Sequence, residues 1–107
     1  MREVWREGKI GAQHWTILLV DREDLAGTEE VFGLCVYEQN EIWILRSEAG
    51  NETRFWDTLM HELMHAAFKV FAVKFCKDEE SNVERVTPAI LAALDGFQLL
   101  PKLGESV

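Results

Sequence analysis

Two histidines and a glutamate, in the run His61-Glu62-Leu63-Met64-His65, are the residues of this chain whose types and spacing suit chemistry best. On an α-helix, residues four apart project from one face a turn apart, so His61 and His65 can bind a single metal ion. Neutral imidazole is a good zinc donor. Glu62 projects about 100° round the helix from His61, beside the ion rather than onto it. There a carboxylate can take a proton from a water whose pKa zinc lowers towards about 7. The pattern predicts a zinc site with Glu62 as general base. HExxH also arises by chance, but a charge set between Met60 and Leu63 in an apolar helix is costly without a task.

A catalytic zinc takes three protein ligands and keeps a position for water, whereas a structural zinc takes four. The extension HExxHxxGxxH is absent, and no histidine follows His65. His14 lies in an apolar segment beside Trp15 and is expected to be structural. The third ligand is therefore sought downstream, in Cys76 or in Asp78, Glu79, Glu80, Glu84 or Asp95. With an apolar helical face through Val83, Ile90 and Leu94, Glu79 and Glu80 fall at its two margins and Glu84 further round. Glu80 is the residue chosen, narrowly over Glu79. The alternative for each carboxylate is a solvated helix start, where negative charge suits the dipole.

The elements that must carry these residues read as follows. The first dozen residues, with Gly8 and Gly11, suggest a short helix or an irregular lead-in. His14 to Val20, rich in apolar and β-branched residues, predicts a largely buried strand. Asp21 to Glu30 reads as a polar loop with a helical turn. Val31 to Tyr37 and Ile42 to Leu45 are strands joined by a hairpin at Glu38 to Glu41, and Ser47 to Asn51 is a second loop. From Glu52 to Phe75 one helix is expected, with Asn51 or Thr53 as N-cap and an apolar second half buried all round. A last helix follows a polar connection that Asp78 could cap; Pro88 either kinks it or starts a new segment. The tail after Pro101 is expected to fray.

The sum is an α+β domain covering 1–107, with a small, mostly antiparallel sheet of about three strands packed on the HExxH helix and a C-terminal helix. A length of 107 residues supports one modest core. A net charge of −8 argues against nucleic acid as partner. No apolar run is long enough to span a bilayer, and Met1 to Glu7 lacks the apolar stretch of a signal peptide, so a cytoplasmic setting is expected. There Cys35 and Cys76, outside any CxxC pair, are read as reduced thiols.

The block from Thr58 to Ala66, the strand segment Val31 to Leu45 and the acidic stretch Glu79 to Leu91 resemble small zincin-type metallopeptidases, in particular the short metallopeptidase-like proteins of bacteriophages and prophages. The resemblance covers about residues 14 to 100, and only the HExxH block is specific. It implies zinc on His61 and His65, Glu62 as general base and a downstream glutamate as third ligand. It also implies an edge strand that pairs with an extended peptide substrate, here expected at Glu41 to Arg46. The alternative for that strand is a plain sheet edge protected by its charges. The expected activity is zinc-dependent peptide hydrolysis. The rivals are a catalytically inactive zinc-binding regulatory domain on the same scaffold and a metal-free interaction module with packed histidines. No tyrosine or histidine for oxyanion support is evident, since Tyr37 is the one tyrosine and His14 is remote.

Overall fold

A computed structural model describes residues 2–25, 32–72 and 79–99. The chain is α+β, with a four-stranded mixed sheet and two long helices. The strands are β1 (Glu3–Ile10), β2 (Gln13–Val20), β3 (Gly33–Val36) and β4 (Glu41–Leu45); the helices are α1 (Glu52–Val70) and α2 (Glu79–Gly96). The sheet order is β1-β2-β4-β3, with β1·β2 and β3·β4 antiparallel and β2·β4 parallel.

β1 is the strand that the sequence reading missed. Its residues Glu3, Arg6, Glu7 and Lys9 break the apolar alternation, which suits a sheet edge where charge deters pairing with another chain. It joins β2 through the two-residue turn Gly11-Ala12, and Gly11 takes a φ of 62° that a side chain resists. β2 and β4 are central strands buried on both faces. Ile17, Leu19, Ile42 and Ile44 point towards the helices, whereas Leu18, Val20, Trp43 and Leu45 form a smaller cluster with Leu25 on the opposite face.

Placing β4 in the interior corrects the expected edge strand. Glu41 to Leu45 pair with β2 on one side and β3 on the other, so among the described residues the unpaired edge beside α1 belongs to β3. The apolar run Ile42-Trp43-Ile44-Leu45 has a face to bury on each side, as a central strand does. The expected hairpin is present, turning through Tyr37–Gln39 with Asn40 at a left-handed φ of 54°.

α1 starts where the sequence put it. The Asn51 side chain accepts a hydrogen bond from the Arg54 backbone N–H at 3.1 Å. The helix ends at Val70, followed by Ala72 at a φ of 50°, short of the expected Phe75. Residues 73–78 lie outside the described residues, and with them Cys76 and Asp78 as ligand or cap; so does the tail after Pro101. α1 buries Phe55, Leu59, Leu63, Ala66 and Ala67, but His61, His65, Lys69 and Phe71 are exposed. It is thus one-sided rather than buried all round.

α2 runs through Pro88 as one helix and packs on α1 and β1. Its buried residues are Ala89 and Ala93, with buried Phe97 just past its end, while Val83 is 57% and Leu91 48% exposed. The large aliphatics that seemed to define its inner face are partly outside it. Small alanines win that face because α2 comes in close: a Cβ on Gly96 would meet the Lys9 carbonyl oxygen at 1.6 Å, and one on Gly8 the Gly96 oxygen at 2.5 Å. No described helix is long and apolar enough to cross a membrane.

Candidate functional site

α1 carries two kinds of side chain past the free edge of β3. Asp57, His61, His65 and Lys69 recur every four residues, and all four are exposed. Thr58 and Glu62, one position on from Asp57 and His61, turn inward against β3. Gly33 lets them do so, because a Cβ there would lie 2.7 Å from Thr58 Cγ2 and 3.1 Å from Glu62 Cγ. A cleft of about 440 Å³ opens between strand and helix, lined among others by Phe32, Gly33, Leu34, Asp57, His61 and Glu62.

His61 and His65 meet at Nε2 to Nε2, 3.2 Å apart, with ring centroids 4.7 Å apart and nearly perpendicular. Two arrangements suit that distance. One ring can donate its Nε2–H to the bare Nε2 of the other, or both lone pairs can face a single cation. Two donors bound at about 2.0–2.1 Å in tetrahedral geometry stand about 3.3 Å apart, close to the spacing found. With a Glu62 carboxylate oxygen, the donor atoms form a group lying within 4.8 Å of one another, the only such group of three among the described residues. Two imidazoles at this spacing suit zinc as donors, and the carboxylate stands close beside them.

Glu62 is only 8% exposed, and no hydrogen bond to it is found among the described residues. Burial pushes its carboxyl pKa above the ordinary value of 4.5, against the pull of His61 and His65. Cys35, half-buried on β3, is pushed up to about 12 by its own burial and by the Glu62 charge. Tyr37 is raised by burial, by Cys35 and by Glu62. Its hydroxyl donates to the Cys35 sulfur, and Lys69 Nζ lies 5.7 Å from the centre of its ring. Tyr37, the one tyrosine of the chain, therefore stands within electrostatic reach of Glu62. The link is the hairpin, which returns β3 alongside α1; its turn was legible, but the edge position of β3 was not.

Glu80 is not brought into the group. It sits in the exposed first turn of α2, nine residues from buried Ala89, and at about 100° per residue that is half a turn away from the packed face. The phase argument that favoured it assumed an inner face through Val83, which is exposed. Glu84 and Asp95 are also exposed α2 residues outside the group, and the side chain of Glu79 is outside the described residues. His14 lies exposed on β2, with its Nε2 3.5 Å from Glu7 Oε1 and outside the group. Of the expected site, the structure gathers His61, Glu62 and His65. Comparison of the chain with protein-family models, with curated proteins and with solved structures finds no match.

Proposed function

We propose that this chain is a zinc-dependent peptidase of the zincin type, with His61 and His65 as metal ligands and Glu62 as general base. The observation that carries the reading is the pairing of two exposed imidazoles, 3.2 Å apart, with a buried carboxylate at an open cleft. Buried carboxylates normally have partners, and one kept without them at a cleft is where function is sought first. Zinc, when bound, would supply Lewis-acid polarisation and lower the pKa of water.

The chain's own groups supply the rest. Glu62, with its raised pKa, is suited to take the proton of the attacking water on a carboxylate oxygen and pass it to the leaving amine. The free backbone edge of β3 offers main-chain hydrogen bonds to an extended peptide, the role first expected of Glu41 to Arg46.

The test pairs zinc stoichiometry, by native mass spectrometry, with hydrolysis of a mixed peptide library. Wild type is expected to take up one zinc and cleave. Glu62→Gln should keep the zinc and lose roughly 10²- to 10⁴-fold in rate. No zinc uptake, or cleavage by Glu62→Gln at the wild-type rate, overturns the proposal. Zinc uptake without cleavage by wild type selects the inactive zinc-binding domain instead.

A further inference from the structure

The exposed face of α1 beside β3 has an electrical direction, and the cleft occupies its Asp57 end. The exposed stripe of α1 begins with Asp57 and ends with Lys69, and His61, Glu62 and His65 lie between them. Asp57 lines the cleft and has no ion-pair or hydrogen-bond partner among the described residues. The nearby cation, Arg54, is committed elsewhere: its Nη2 is 3.0 Å from Glu48 Oε2, and its guanidinium lies 4.9 Å from the centre of the Phe32 ring. At the other end, Lys69 lies over the Tyr37 ring with no carboxylate against it among the described residues. The unpartnered, nine-tenths-buried Glu62 between them marks this stretch as the place where a ligand sits.

We infer that the cleft, continued along the exposed face of α1 to Lys69, binds an extended peptide bearing a basic side chain at the Asp57 end and an acidic one at the Lys69 end. This rests on the peptidase reading for its occupant and adds the charge pattern that the occupant must carry. The helix rise of about 1.5 Å per residue puts Asp57 and Lys69 about 18 Å apart along the axis, the span of about five residues of extended chain. Glu62 is nearer Asp57, so the bond facing it lies about two residues from the basic side chain and three from the acidic one. A charge pattern set along a groove governs register and direction more than total affinity.

Two fluorescein-labelled ten-residue peptides test this, each with one lysine and one glutamate five residues apart in an otherwise identical neutral sequence, in opposite order. Binding is read by anisotropy at low salt with EDTA present, so that it is independent of hydrolysis. Wild type is expected to prefer one order by roughly 5-fold, the sum of exposed ion pairs gained and like charges avoided. The double variant Asp57→Lys/Lys69→Glu keeps the net charge and should reverse the preference. Equal affinities, no binding of either peptide, or an unreversed preference overturns the inference. Reversal without hydrolysis in any metal-loaded assay leaves it standing while the peptidase reading fails; hydrolysis without charge preference does the opposite.

Discussion

Two clefts of nearly equal size show how differently the same residue types can be used. One, of about 440 Å³, lies between β3 and α1; the other, of about 400 Å³, lies where β2 and β4 end and is lined by Val20, Asp21, Arg22, Leu45, Arg46 and Ser47. In the second, charges are matched. Arg46 bonds Glu3, bonds Asp21 at 3.2 Å and reaches the Leu19 carbonyl at 3.4 Å, while Asp24 holds Arg2 at 3.3 Å. Glu3 and Asp21 raise the Arg46 pKa, so each partner stabilises the charge of the other. In the first, Glu62 and Asp57 have no such partner among the described residues, and Glu62 is held above its ordinary range. Matched charges fix strand ends to one another; under the proposed function the unmatched buried charge serves a metal-bound water and a peptide.

The largest effect expected of this contrast is in metal binding. His61→Ala or His65→Ala should weaken zinc at least about 100-fold, more than the loss of an outer-shell partner costs. Arg46→Met, which leaves Glu3 and Asp21 without their cation, should leave zinc affinity within about 2-fold and lower stability only slightly, since exposed ion pairs are weak. Isothermal titration with zinc and urea unfolding read the two quantities. Equal zinc loss in the Arg46 variant would break the distinction between the clefts.

A middle-sized effect tests how the open cleft is built. Gly33→Ala puts a methyl 2.7 Å from Thr58 Cγ2 and 3.1 Å from Glu62 Cγ, and β3 or α1 must shift. Overpacking of this kind costs roughly 1–3 kcal/mol. Gly50→Ala, with nothing within 4 Å of the added methyl, should stay within about 0.5 kcal/mol. Urea midpoints of the two variants make the measurement. Near-identical values would mean that the closeness of β3 to α1 does not hold Glu62 in place.

The sequence made one of these clefts legible and hid the other. Helical spacing brought His61 and His65 together and put Glu62 beside them, because local geometry alone sets those relations. Asn51 was readable as a cap for the same reason. What failed depended on distant parts of the chain. β1 alternates poorly because an edge strand needs charge on its exposed side. The edge role fell to β3 rather than β4 because β2 pairs in parallel with β4, a long-range choice without a local signal. Glu80 was chosen on an α2 face defined by large aliphatics, whereas the close approach at Gly8 and Gly96 selects small ones. The exposure of both histidines also followed from packing rather than from pattern.

The smallest effect expected is in how acid acts on the two clefts, and here the signs oppose. The Glu62 carboxyl has a folded pKa above its unfolded value of 4.5, chiefly from burial. Its ionisation therefore disfavours the fold: the penalty is absent below pH 4.5, grows as pH rises towards the folded pKa, and is complete above it. Asp24 behaves oppositely. The Asp21 backbone N–H, and then Arg2, lower its pKa below 3.8, so its contribution is present above that value and is lost as pH falls through the folded pKa. Mild acidification should then relieve the open cleft before it weakens the matched one. Glu62→Gln keeps the shape but cannot ionise, so in EDTA it should be more stable than wild type at pH 7.5, with the gap closing by about pH 4.5. Urea midpoints at three pH values across that range give the difference directly. A gap independent of pH would mean that Glu62 is not destabilised by burial in its charged form, and the contrast between an unmatched and a matched carboxylate would lose its physical basis.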